Sequence, residues 1–226
     1  MPRLCSSRYE RHARQRGWQH IAGIDEAGRG SLFGPVVAAA VILNPRRRIV
    51  GLDDSKKLTP ERREELAPRI REHAIAWAVA EVAASRIDAW NIYQASRQAM
   101  TAAYEALSVP PDYLLIDAMY IDVGCEQESL VHGDARCVSI AAASILAKVD
   151  RDHLMDEWDK VYPQYGLASN RGYGTPDHLE ALRIHGPTPL HRFSFAPVRE
   201  AKCWASRATQ EALPLADAAT AGSTGR

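Results

Sequence analysis

Two adjacent carboxylates, Asp25 and Glu26, stand in an otherwise apolar stretch, Ile21-Ala22-Gly23-Ile24-Asp25-Glu26-Ala27. Burying such charges is costly unless a cation offsets them, so the fold must bring this segment to a place where the two acids find compensation. The segment from His20 to Glu26 reads as a strand. Strand alternation sends neighbouring side chains to opposite faces, so Asp25 and Glu26 need a local twist or the strand's end to serve one site. An ordinary strand-to-turn acidic pair is the alternative.

A second apolar strand, Tyr113 to Ile116, delivers Asp117 at its end, and the carboxyl ends of strands are where open α/β sheets place their sites. Taken alone, Asp117 could equally cap a turn. Asp134, in His132-Gly133-Asp134-Ala135, precedes a small-residue helix from Ser139 to Val149, where N-capping is the natural structural explanation. Together the four acids say more. Hard divalent cations such as Mg²⁺ take a few carboxylates and leave their remaining positions to water and phosphate, the arrangement that phosphoryl transfer uses.

The remaining periodicities predict strands at Val36–Leu43 and Ala74–Val82, the alanines of the latter leaving a helix as the alternative, and Ile49–Leu52 could supply a short strand between them. Helices are expected from Thr59-Pro60-Glu61 to about His73, over Ile87–Leu107, and at about Asp152–Val161 and Pro176–His185. That order implies a mixed sheet flanked by helices. An Arg/His-rich stretch over residues 1–19 is expected to be a flexible extension, residues 20–200 the working domain, and 201–226, rich in Ala, Ser, Thr and Gly, a partly disordered tail.

Lys+Arg and Asp+Glu balance at 28 each, so any phosphate-binding surface must be a local patch. Cys5, Cys125, Cys137 and Cys203 form no CxxC pair, which fits reduced thiols in a cytosol. The amino-terminal residues lack the apolar stretch of a secretory signal, and Val36–Leu43 is too short to span a bilayer. His185 and His191 have no second ligand at zinc-site spacing. A dinucleotide fingerprint fails because the glycine after Gly28 and Gly30 is Gly34, and no G-x-x-x-x-G-K-[ST] loop is present.

The ordered motifs Gly23-Ile24-Asp25-Glu26-Ala27-Gly28-Arg29-Gly30, Asp54-Ser55-Lys56-Lys57-Leu58, Leu115-Ile116-Asp117, Gly133-Asp134-Ala135 and Ser139 to Asp152 resemble the bacterial ribonuclease HII family. The likeness continues through Tyr162-Pro163-Gln164-Tyr165-Gly166, Gly172-Tyr173-Gly174-Thr175 and His191-Arg192-Phe193-Ser194-Phe195. One position departs: Ala118 follows Asp117 where the family commonly has glycine.

The resemblance implies a ribonuclease H-like α/β fold, a mixed five-stranded sheet flanked by helices, with a C-terminal helical extension. It implies cleavage of RNA in RNA–DNA hybrids, and of DNA duplexes containing ribonucleotides, with Mn²⁺ or Mg²⁺ held by Asp25, Glu26, Asp117 and Asp134. Gly28, Arg29, Gly30 and Tyr173 match the positions that read the ribose 2′-hydroxyl, the chemical difference between RNA and DNA. Lys56 and Lys148, with Lys57, Arg151, Arg171, His191 and Arg192, are candidates for phosphate contacts, solvated surface charge being the bland alternative for each. A monomer is expected, because no heptad calls for a partner helix. A non-catalytic binding module would require one of the four acids to be missing.

Overall fold

A computed structural model describes residues 5–201. Five strands form one sheet: β1 (Ile21–Ala27), β2 (Val36–Ile42), β3 (Ala76–Val82), β4 (Tyr113–Asp117) and β5 (Glu126–Leu130), in the order β3-β2-β1-β4-β5. β1 pairs antiparallel with β2, and β2 with β3, whereas β1–β4 and β4–β5 are parallel. The helices are α1 (Arg8–Gln15), α2 (Pro60–His73), α3 (Ala84–Trp90), α4 (Ile92–Glu105), α5 (Val138–Val161), α6 (Leu167–Asn170) and α7 (Pro176–His185).

Alternation along β1 and β2 divides the core. Ala22, Ile24, Val36, Ala38 and Ala40 pack with Ala95, Ala99 and Met100 of α4 on one face. Val37, Ala39 and Val41 meet Leu66 and Ile70 of α2 and the alanine-rich start of α5 on the other. α5 lies very close to β1: a Cβ placed on Gly23 would sit 2.1 Å from the Ser139 backbone carbon. Small residues on both elements make that approach possible, which explains the run Ala141-Ala142-Ala143. A third cluster, with Phe33, Met155, Tyr165 and Leu182, joins the C-terminal helices to the domain.

Four differences from the sequence expectations have physical causes. Ile49–Leu52 is a turn, with Gly51 at φ 96°, whose apolar members Ile49 and Leu52 cap the α2–α5 face. The helix expected over Ile87–Leu107 breaks at Asn91, whose φ of 78° ends α3 and whose side chain caps α4 by accepting from the Gln94 amide. The two helices expected around residue 150 are one, because Arg151 and Asp152 are buried inside the fold. β5 went unforeseen, since Glu126-Gln127-Glu128-Ser129-Leu130 has a single apolar residue and lies at a sheet edge.

Within the stretch expected as an amino-terminal extension, α1 packs Ala13 against Ile21, Tyr113 and Ile140. The tail beyond Ala201 lies outside the described residues. Among those described, no helix is long and apolar enough to cross a membrane.

Candidate active site

The register Ile24↔Ile116 between parallel β1 and β4 puts Asp25 and Asp117 next to each other in the following position, at the carboxyl ends of both strands. In-register neighbours on adjacent strands point to the same face, about 5 Å apart. Asp25 accepts a hydrogen bond from the Glu26 amide at 2.8 Å, and Asp117 accepts from the Gly133 amide at 2.7 Å. The latter bond draws the loop bearing Asp134 against the end of β4.

Burial raises the Asp25 carboxyl well above its usual range, with the Glu26 and Asp117 charges acting in the same direction and a Ser144 hydrogen bond opposing. Glu26 is raised by burial, against the pull of Arg29, and Asp117 by burial, against the Gly133 amide. Three neighbouring acids thus all resist ionisation together. That is the electrostatic signature of a site short of positive charge.

Asp134 does not cap α5. Its Oδ1 accepts from the Ala135 amide at 2.9 Å and its Oδ2 lies 3.3 Å from Lys56 Nζ. The cap is supplied from a distance by Glu10 of α1, whose Oε1 accepts from the Ser139 amide at 2.8 Å and the Ser139 hydroxyl at 2.6 Å. Asp134 is therefore left to the cleft, 3% exposed and paired with a lysine whose side chain is 81% exposed.

Among the described residues, no three His, Cys, Asp or Glu side chains are gathered closely enough to hold a metal ion as they stand. Each of the four carboxylates instead has one oxygen engaged by an amide, Lys56 or Arg29. The donor set nonetheless fits a hard divalent cation, being four carboxyl groups, all oxygen, with only Lys56 and Arg29 as basic partners.

Beside these acids, the Gly28–Gly30 turn is held from below. Gly28 adopts φ 92°, and a Cβ there would lie 2.0 Å from Arg151 Nε. Arg151 is fully buried and donates to the carbonyls of Pro35, Arg171 and Phe33 and to the Ser31 hydroxyl. Arg192, also fully buried, donates to the carbonyls of Arg29, Gly34 and Pro35. Crowding in a dry site lowers the Arg192 pKa to about 9, burial acting first and Arg151 second.

Those two arginines, read from sequence as candidates for phosphate contacts, are internal clamps. His191 is internal as well, its Nε2 3.2 Å from that of His178, and burial followed by the His178 charge lowers it to about 3. Arg171 pairs with Asp156, and Lys57 lies 3.8 Å from Asp53.

The same clamps bring Tyr173 to the turn. Leu32 donates its amide to the Gly172 carbonyl at 2.8 Å, so residues 171–174 lie along residues 31–33. The Tyr173 ring is 38% exposed, 3.9 Å from where a Cβ on Gly30 would stand, with Lys148 Nζ 5.9 Å from its centroid. Lys148 also donates to Asp152 at 2.7 Å, and burial lowers its pKa.

Two residues escaped the sequence reading. Ser144 bonds Asp25 from α5, and its Oγ is 2.8 Å from that of Ser55. Arg63 fastens the Asp54–Leu58 loop through the Ser55 and Leu58 carbonyls. The helical phase of Ser144, one turn beyond Ile140, was the available signal for the first; nothing in the sequence marks Arg63.

A mixed sheet with paired acids at the ends of its parallel strands, a glycine-rich turn and a tyrosine beside them defines a ribonuclease H-like hydrolase. The description "Ribonuclease HII" belongs to the family model that matches residues 22–198. A ribonuclease HII from Solibacter usitatus is 59% identical over 86% of this chain and 86% of its own. One from Koribacter versatilis is 58% identical over 92% of this chain and 80% of its own. The crystal structure of ribonuclease H2 from Pyrococcus horikoshii superposes with a TM-score of 0.71 at 25% identity, covering 81% of this chain and 97% of that one. This chain belongs to the ribonuclease HII family, and it is a ribonuclease H-type endoribonuclease.

Proposed function

We propose that this protein hydrolyses the RNA strand of RNA–DNA hybrids and incises on the 5′ side of single ribonucleotides embedded in duplex DNA, leaving 3′-hydroxyl and 5′-phosphate ends. The observation that carries this reading is the side-by-side position of Asp25 and Asp117 at the ends of parallel strands, with the Gly28–Gly30 turn and Tyr173 adjoining.

In this reading Asp25, Glu26, Asp117 and Asp134 hold Mg²⁺ or Mn²⁺, which when bound lowers the pKa of the attacking water and stabilises the leaving 3′ oxygen during in-line displacement. The protein's own contribution is position. The Glu26 and Gly133 amides fix the two central carboxylates, while Lys56, held at the cleft by Asp134 and largely exposed, is in place to meet a phosphate. Gly28 and Gly30 let backbone groups come close to the sugar, and Arg29 flanks them. Tyr173 offers a ring face to the ribose and a hydroxyl for bonding, its ring steadied by Lys148 and Arg151. The protein acts, in this reading, as a monomer in the cytoplasm.

The test is incision of a labelled DNA duplex carrying one ribonucleotide, with Mg²⁺, Mn²⁺ or a chelator, beside an all-DNA duplex and a continuous hybrid. Metal-dependent cutting 5′ of the ribonucleotide is expected, and Asp25→Asn or Asp117→Asn should reduce it by about 10²-fold or more while the fold persists. Tyr173→Ala should impair junction cutting more than cutting of the continuous hybrid. Near-normal turnover in either Asn variant would sink the site assignment.

A further inference from the structure

The even overall charge hides a concentration of arginine away from the carboxylates. A cavity of about 570 Å³ lies between α1 and the turn that follows β2, walled by Arg11 and Arg14 on the helix and by Arg47 and Arg48 on the turn. None of these four makes an ion pair among the described residues, although most other basic side chains near acids do. The single carboxylate in the wall is Glu10, and its Oε1 is already committed to the start of α5.

The cavity lies toward the amino end of β1, because Ile42 at the end of β2 stands opposite Ala22, and its Val138 side leads toward the candidate active site. Val138 is in its wall, only four residues from Asp134, so no more than about 14 Å of extended chain separates them. Cys5, also in the wall, has its thiol pushed up to about 12 by burial and by the carboxylates of Asp53, Glu10 and Asp134. Four guanidinium groups without an ion-pair partner, set on the amino-end side of β1 from a phosphodiester-cleaving centre, are placed to meet a polyanion that extends from it. Duplex nucleic acid carries about one negative charge per 1.7 Å of axis and rewards such neutralisation by releasing counterions.

We propose that the α1 and β2-turn arginines form a second docking surface for the sugar–phosphate backbone of the bound duplex, contacting the flank at a distance from the scissile bond. This rests on the nuclease reading for the duplex's orientation, but its chemistry is that of backbone recognition without base readout. Arginine's planar fork suits phosphate oxygens.

The experiment is binding of a fluorescein-labelled hybrid to the full chain in chelator, so that no cutting intrudes, across a salt series. It compares wild type, Arg11→Gln/Arg14→Gln/Arg47→Gln/Arg48→Gln, and the four-lysine counterpart. The glutamine variant is expected to lose about 2–4 units of slope in log K against log salt and to bind roughly 10-fold or more weakly at moderate salt. The lysine variant should keep most of the slope.

A short hybrid ending near the scissile bond should be bound equally by all three, and cut with unchanged kcat when metal is present. A glutamine variant whose slope and affinity match wild type overturns the proposal, as does a poly-glutamate chain competing as well as unlabelled duplex. Arginine-dependent binding by a protein that cuts no hybrid would overturn the nuclease reading and leave the docking surface standing. A circular-dichroism melt of each variant separates lost binding from lost fold.

Discussion

Ala118 follows Asp117 with a backbone φ of 48°, a conformation in which an L side chain crowds its own carbonyl. The cost for a residue with a Cβ is about 1–2 kcal/mol, and glycine escapes it. The strain is held by the ladder on either side: the Ala118 amide donates to Leu130, and Asp117 accepts from Gly133. Ala118→Gly should therefore stabilise the protein by about 1 kcal/mol in urea unfolding, after the added freedom of the unfolded chain is set against the relief of strain. A loss of stability would mean that the surrounding turn prefers the methyl group's packing to a relaxed backbone. Asp117 itself was legible as an acid ending an apolar run, whereas the positive φ beside it was marked only by the glycine that the family commonly carries where Ala118 stands.

At the scale of elements, the sequence exposes whatever alternation and composition encode, and hides whatever depends on a distant partner. β1, β2, β3 and β4 announced themselves through apolar runs, and α2 through a Thr-Pro start whose threonine does cap the helix, as Thr175 also caps α7. α5 read as two helices because Asp150-Arg151-Asp152 looks like a solvated break. In the fold its arginine is the internal clamp of the Gly28–Gly30 turn. Asp134, which the family resemblance places among the metal-site acids, reads on its own as a cap because the residue that does cap α5, Glu10, lies 129 positions from Ser139.

The contact between α5 and β1 is the one that places Ser144 over Asp25, and it depends on Gly23. A Cβ there would come within 2.3 Å of the Ser139 carbonyl oxygen, and backbone cannot swing aside as a side chain can. Gly23→Ala should therefore cost about 3 kcal/mol or more. It should also lower kcat for hybrid cutting in whatever fraction stays folded. Denaturation midpoint and single-turnover rate, measured together, check both; an unaffected midpoint would mean that the helix can shift on the strand.

For the molecule as a whole, the acids at the ends of β1 and β4 are a destabilising feature that a cation would reverse. Asp25, Glu26 and Asp117 all have carboxyl groups raised by burial, so the folded chain holds protons more tightly than the unfolded chain does. For a carboxylate raised in this way, stability improves as pH falls from neutrality toward the ordinary carboxylate range, because the folded state takes up the proton first. Asn at position 25 imitates the protonated acid. In chelator at neutral pH, Asp25→Asn should accordingly melt above wild type, and the gap should narrow as the pH is lowered.

Mg²⁺ or Mn²⁺ should act on the wild type in the same direction. At a concentration about 100 times its dissociation constant, a ligand of the folded state adds about 2.7 kcal/mol. In a domain of this size that corresponds to about 5–10 °C in melting temperature. The Asn variant should show little of that rise, having lost both the charge to be neutralised and a ligand. A wild type whose melting temperature ignores both ions, or an Asn variant that responds as fully as wild type, would place the cation elsewhere than on this pair of strands.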